Sequence, residues 1–232
     1  MIGELVPGSV ATAWRLDDSE PVTLFPEEAA IVARSVDRRR REFATARLCA
    51  RLALARFGVP EAPLTPGPRG EPRWPEGMAG SMTHCDGYRA AAVARTTDVV
   101  SLGIDAEPAL PLPEGVLDVV SLPEERRHLG DLAARAPEVS WERLLFSAKE
   151  SVFKTWYPLT RRELGFDEAV LDFAVDGDAP EGVKAEGETR TGTFSARLLV
   201  PGPVVEGTRH EHFTGRWLIR DGLLLTAIVL TR

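Results

Sequence analysis

Asp105 and Glu107 stand two residues apart in Leu102-Gly103-Ile104-Asp105-Ala106-Glu107-Pro108, just after Val99 and Val100. The stretch reads as the end of a β-strand. Alternate residues of a strand share a face, so both carboxylates point one way while Ile104 and Ala106 point the other. Adjacent carboxylates repel unless a cation or a proton lies between them. Pro108 has no amide hydrogen for a ladder and ends the strand. Two hard oxygen ligands at a strand end suit Mg²⁺. Taken alone, the pattern is common and reads as two solvated acids.

Other groups could join that pair. Glu150 and Lys154 are four residues apart on a helical stretch from about Ser140 to Trp156. A surface i, i+4 ion pair is worth only ~0.3–0.5 kcal/mol, but Phe146, Phe153 and Trp156 beside this one predict partial burial. Lys149 shares the stretch. Thr83 and His84 lie at a strand end in Gly80-Ser81-Met82-Thr83-His84-Cys85. Arg40, Arg47 and Arg51 fall on one stripe of another helix, within and after the run Arg38-Arg39-Arg40-Arg41. Such runs are usually solvated faces, yet guanidinium forks also suit phosphate.

The elements that must position these residues are legible in outline. Val10, Ala11, Ala13 and Trp14 make a first strand, and Pro26-Glu27-Glu28 opens a helical region. Phe43, Ala46, Ala50, Ala53 and Phe57 recur at helical spacing, and Gly58 with Pro60 and Pro63 stops the helix. Residues 59 to 80 read as loop. Asp86-Gly87 predicts a hairpin, and Val99 to Glu107 a third strand of the same meander. Residues 108 to 120 form a Pro-rich connector, which places a lobe boundary there, with lobes 1–108 and 109–232. Pro123-Glu124-Glu125 opens another helix. Val170–Val175, Thr193–Val200, Phe213–Arg220 and Leu223–Thr231 read as strands, the last two a hairpin across Asp221-Gly222. Both halves thus run helix first, antiparallel strands after.

The 232 residues suffice for a full core in one domain or two small ones. The net charge of −7 argues against general nucleic-acid binding. No apolar run approaches the ~20 residues that span a bilayer. Met1 to Gly8 lacks the basic and apolar regions of a signal peptide, and Cys49 and Cys85 read as reduced thiols, so a cytoplasmic protein is expected.

Arg41-Glu42-Phe43 through Arg47, Trp74-Pro75, the Thr83-His84 segment, Gly103-Ile104-Asp105-Ala106-Glu107, and Phe146-Ser147-Ala148-Lys149-Glu150 with Lys154 form an ordered set. The set resembles the 4′-phosphopantetheinyl transferases, above all the two-lobed monomeric class that activates siderophore, peptide and polyketide synthetases. The resemblance implies an α+β fold of two similar lobes, each a helix-flanked antiparallel meander, related by a pseudo-twofold axis with the active site in the cleft between them. It implies transfer of phosphopantetheine from coenzyme A to a serine of an apo acyl or peptidyl carrier protein, with Mg²⁺ (or Mn²⁺ as substitute), leaving adenosine 3′,5′-bisphosphate. Asp105 and Glu150 would be metal ligands, with Glu107 a direct or water-bridged third. Glu150 or a metal-side water would take the serine proton, and its carboxyl pKa would be lowered by metal and lysine. Lys154 would support the pyrophosphate and the leaving phosphate. Lys149 would belong to the same coenzyme A site. Thr83, where many relatives have Ser, and His84 would hold nucleotide phosphates. Arg40, Arg47 and Arg69 would face the 3′-phosphate and the diphosphate, with Arg73 interchangeable with Arg69. A Mg²⁺-dependent phosphohydrolase would also want clustered carboxylates but has no need of the arginine helix or of Thr83-His84. A non-catalytic coenzyme A or carrier-protein module would be expected to have lost one of Asp105, Glu150 or Lys154.

Overall fold

The computed structural model describes residues 1–176 and 189–232. Its first half holds β1 (Ala11–Arg15), α1 (Pro26–Val32), α2 (Asp37–Ala55), β2 (Met78–Cys85) and β3 (Tyr88–Arg95). The three strands form an antiparallel sheet in the order β1-β3-β2. The helical region opened by Pro26 is two helices, because Val36 is extended (φ −65°, ψ 157°) and starts α2 afresh. Alanine favours the helix and keeps α2 thin. Cys49, Ala50, Ala53 and Leu54 therefore sit directly on Ala91 and Val93 of β3. Gly58, at φ +72°, turns the chain after α2, and the amides of Gly58 and Val59 return to Ala55 and Leu54 carbonyls.

The second half holds α3 (Val116–Val120), a short helix inside the expected connector, α4 (Pro123–Arg135) and α5 (Trp141–Thr160). Helix α5 runs one turn beyond the expected end, taking Pro158 into its last turn, and Arg161 at φ 55° closes it. The strands are β5 (Ala169–Val175), β6 (Arg190–Leu198), a small ribbon β7 (Val204–Val205) and β8 (Thr208–Arg209), β9 (His212–Arg220) and β10 (Leu223–Thr231). Asp221 and Gly222 both have positive φ, as a tight β9–β10 hairpin requires.

The strand β4 (Val99–Pro108) corrects two expectations. It is not the third strand of the first meander. It pairs antiparallel with β10, Asp105 opposite Thr226 and Glu107 opposite Leu224, in a five-stranded sheet ordered β4-β10-β9-β6-β5. The chain therefore changes sheets between Arg95 and Val99, and the expected boundary at 108 puts β4 with the wrong sheet. Strand β2 still lies beside β4 without a backbone ladder. The Ser81 and Thr83 hydroxyls accept the Ile104 and Ala106 amides at 3.1 and 3.0 Å. Buried amides need partners, and these side chains supply them where no carbonyl does.

Period-two alternation sorts the cores. Ala90, Ala92 and Ala94 of β3 meet Ile104 and Ala106 of β4 and Leu225 and Ala227 of β10, joining the two sheets. The opposite face of β4 meets α5. There the helix backbone rests on Gly103: a Cβ at this position would overlap the Ser151 carbonyl oxygen and the Thr155 hydroxyl. A polar seam fixes the helix laterally, with Ser147 and Ser151 hydroxyls 2.9 and 2.7 Å from Thr226 Oγ1 and the Ser101 hydroxyl donating to the Thr155 carbonyl at 2.8 Å. Gly103→Ala is expected to destabilise the fold by about 1–3 kcal/mol through overpacking. A urea midpoint equal to that of the unsubstituted chain would show that α5 does not bear on β4.

Candidate active site

The contact between β4 and α5 brings Asp105 and Lys154 together. Asp105 is 5% exposed. Its Oδ1 accepts Lys154 Nζ at 2.7 Å and the Thr83 hydroxyl at 3.2 Å. Lys154 also donates to the Ile104 carbonyl at 3.1 Å. The partner of Lys154 is thus Asp105, not the Glu150 one turn earlier on the helix. Gly103 lets the helix sit low enough for the ammonium to reach a buried strand carboxylate, which competes better than a half-buried one. Asp105 Oδ2 is buried with no hydrogen-bond partner.

Glu107 points to the same side, as alternation predicts, and its Oε2 accepts Arg143 Nη1 at 3.0 Å. Burial and the neighbouring Asp105 raise the Glu107 carboxyl pKa, against the pull of Arg143. Glu150 is half-buried on α5, and burial raises its carboxyl pKa too, with Asp105 adding to the rise and Lys154 opposing it. The expected lowering counted on a metal as well as the lysine; in the chain by itself desolvation outweighs the lysine.

Among the described residues, no three His, Cys, Asp or Glu side chains form a ready-made metal cage. The donor set nonetheless fits a divalent cation. It consists of hard carboxylate oxygens, of which Asp105 Oδ2 is desolvated and unsatisfied. Glu107 and Glu150 are both raised in pKa with Asp105 as a contributing cause. A cation would relieve that mutual repulsion.

A cleft of about 730 Å³ opens beside this point. It is lined by Glu150, Lys154, Phe153 and Tyr157 of α5 and by Arg69, Arg73 and Trp74 of the loop before β2. Its size is that of a small-molecule site. Two ion pairs cross between loop and helix end, Arg69 Nε to Glu163 at 2.5 Å and Arg161 to Glu71 at 3.1 Å. Arg73 is exposed. The structure therefore brings Arg69, Arg73, Glu150 and Lys154 to one cleft, with Asp105 and Thr83 joined to it through Lys154.

The remaining residues separate. His84 is exposed, and its Nε2 accepts Arg39 Nη1 at 2.5 Å, which places the ring proton on Nδ1. Loss of solvent on its packed side, and then Arg39, lower its pKa. Arg40 is exposed and pairs with Asp37 at 3.1 Å. Arg47 is buried, stacked 3.5 Å over the Phe43 ring, and its Nε has no partner. Burial brings its pKa down to about 10, and Arg39 and Arg51 push the same way. Arg51 leaves the expected stripe: it is buried and paired with Glu28, whose other oxygen takes the Leu64 amide. Lys149 also departs from its expected role. It is buried, bound to Glu125 at 2.8 Å and to the Phe166 carbonyl at 2.6 Å. That geometry fastens α5 to α4 and engages two of the three ammonium donors.

Sequence reasoning passed over Gly103, Arg39 and Arg143. Arg143 was within reach, being seven residues before Glu150 and so on the same helix face.

Residues 27–94 match the family model of the 4′-phosphopantetheinyl transferase N-terminal domain, and residues 101–197 that of the 4′-phosphopantetheinyl transferase superfamily. The gap between the matches falls where the chain changes sheets. Among curated relatives, 4′-phosphopantetheinyl transferase Svp of Streptomyces mobaraensis is 59% identical over 99% of this chain and 89% of its own. Npt of Nocardia iowensis is 50% identical over 98% and 99%, and PptT of Mycobacterium tuberculosis 46% over 99% and 98%. Two adjoining matches in sequence order and full-length relatives at this identity establish that the chain belongs to the 4′-phosphopantetheinyl transferase superfamily and is a transferase of the holo-acyl-carrier-protein synthase type.

Proposed function

We propose that the chain moves 4′-phosphopantetheine from coenzyme A to a serine of an apo acyl or peptidyl carrier protein, in a Mg²⁺-dependent reaction that releases adenosine 3′,5′-bisphosphate. The observation that carries this reading is the Lys154–Asp105 contact at the cleft, with Asp105 Oδ2 buried and unsatisfied beside it. A monomer with the site between two similar lobes, at work in the cytoplasm, completes the proposal.

Asp105, Glu107 and Glu150 would hold the divalent ion, with Mn²⁺ able to replace it. When bound, the ion supplies positive charge for the diphosphate oxygens. Lys154, kept in place by Asp105 and the Ile104 carbonyl, sets an ammonium where charge develops on the phosphorus oxygens and on the leaving group. The Glu150 carboxylate takes the serine proton. Thr83 orients Asp105 through its hydroxyl. Arg69 and Arg73 from the loop line the cleft and receive the phosphates of coenzyme A there, with Arg40, Arg47 and His84 as further phosphate contacts outside its lining.

The test is intact-mass analysis of purified apo carrier proteins after incubation with coenzyme A, Mg²⁺ and this protein. A gain of one phosphopantetheinyl group is expected on at least one carrier. No gain on any of a broad panel, or release of the adenosine bisphosphate without a carrier, would overturn the reading.

Arg47 allows a narrower test. It is buried without a carboxylate partner of its own, and an incoming phosphate would satisfy its idle Nε. A charge-assisted hydrogen bond is worth ~1.5–3 kcal/mol, so Arg47→Ala should raise KM for coenzyme A roughly tenfold or more and change kcat much less. An unchanged KM would leave Arg47 a structural residue, stacked on Phe43 and bonded to the Leu64 carbonyl.

A further inference from the structure

Arg143 has every arm of its guanidinium engaged. Nη1 donates to Glu107 Oε2 at 3.0 Å, Nε to the Leu110 carbonyl at 3.0 Å, and Nη2 to the Pro111 carbonyl at 2.6 Å. The side chains of Arg143 and Glu107 are 15% and 20% exposed, so the pair is largely sheltered from water. One residue thus ties the end of β4, the start of the connector and helix α5 together. It does so from the first half of the helix that carries Glu150, two turns away on the same face. Nothing else recorded bonds to the Glu107 carboxylate among the described residues.

We infer that Arg143 is a positioning residue for the divalent-cation site: by taking Oε2 of Glu107 it restrains that carboxylate and leaves Oε1, free of a protein donor among the described residues, for the ion. The inference rests on the cation reading of Asp105, Glu107 and Glu150. The planar fork is what the task requires. A carboxylate at a strand end, followed by a proline-rich connector, has freedom to rotate; Nη1 restrains it at one oxygen, while the bonds from Nε and Nη2 to the Leu110 and Pro111 carbonyls fix the guanidinium itself. Partners of metal ligands act in this way, holding the ligand in one orientation before the ion arrives. The other two bonds hold the connector carbonyls of Leu110 and Pro111, so the strand end and the connector move as one piece.

Orientation and charge predict opposite results. Removing a guanidinium beside three carboxylates should tighten cation binding if charge alone matters. Loss of orientation should weaken it by about tenfold or more, the usual effect of deleting such a partner. The experiment is a Mn²⁺ titration of the full chain with coenzyme A present, followed by the signal of free Mn²⁺ in electron paramagnetic resonance. Thermal melting and hydrogen exchange over residues 109–115 are measured alongside, without metal. Arg143→Met is expected to bind Mn²⁺ at least about tenfold more weakly and to exchange faster in the connector. Arg143→Lys keeps the charge but not the fork, and should fall between the two. Should Arg143→Met not fold, Arg143→Lys carries the test, since it too must lose affinity.

Mn²⁺ affinity equal to or tighter than that of the unsubstituted chain would overturn the inference, as would unchanged exchange in the connector. If the unsubstituted chain bound no Mn²⁺, the cation reading would fall and this inference with it. A change confined to the variant touches the inference alone.

Discussion

Lys154→Ala is expected to lower kcat by about 10²–10³-fold, the cost of deleting one preorganised donor at a developing oxyanion, while KM for coenzyme A stays within a few-fold. The ammonium is held by a buried carboxylate and a strand carbonyl, so it is in place before the substrate arrives. Such a group acts on the transition state more than on the bound substrate. Divalent-cation affinity should not fall, because Lys154 is a cation beside the ligands and not one of them. Asp105→Asn gives the contrasting pattern. It removes a charge from the ligand set, so cation affinity drops and part of the activity returns at high Mg²⁺. Rates measured against metal concentration for both variants separate the two roles. A Lys154→Ala enzyme within threefold of the unsubstituted kcat would remove the lysine from the chemistry. Metal dependence unchanged in Asp105→Asn would remove Asp105 from the cation site.

Lys149→Ala is expected to act on stability and hardly at all on coenzyme A. Lys149 and Glu125 form a buried pair, and Glu125 also accepts the Leu122 and Leu171 amides. Removing one partner of such a pair leaves the other charge uncompensated and costs about 3–5 kcal/mol. Much of a domain's net stability is of that size. The measurement is chemical denaturation, together with KM for coenzyme A at a temperature where the variant remains folded. Lys149→Met with Glu125→Gln should recover part of the loss, since replacing both charges is far less costly than orphaning one. A raised KM with unchanged stability would restore Lys149 to the ligand site. Arg51 and Glu28 obey the same logic on the other side of the molecule.

The sequence by itself determined the local grammar. Asp86-Gly87 and Asp221-Gly222 specify hairpins because few other residues tolerate those turns. Alternation in Ile104-Asp105-Ala106-Glu107 decides that the acids share a face, and Ile104 and Ala106 are indeed in the core between the sheets. The spacing of Glu150 and Lys154 puts them one turn apart on a single helix, wherever that helix packs. The family signature was likewise legible, because residue types and their order survive in the chain itself.

Only the tertiary structure decided what lies across from each residue. No local pattern says that β4 pairs with β10, far along the chain, instead of extending the sheet of β3. A strand buried on both faces carries the same apolar residues in either sheet. Burial made the same kind of decision for the cations. Arg51 looks like a surface charge in sequence and Lys149 like part of the ligand site, yet each is enclosed and neutralised by a distant carboxylate. Lys154 turned from its helical neighbour Glu150 to Asp105 because Gly103 lets helix and strand approach without a side chain between them. An ion pair depends on distance and on solvent exclusion, and both are properties of the packed molecule.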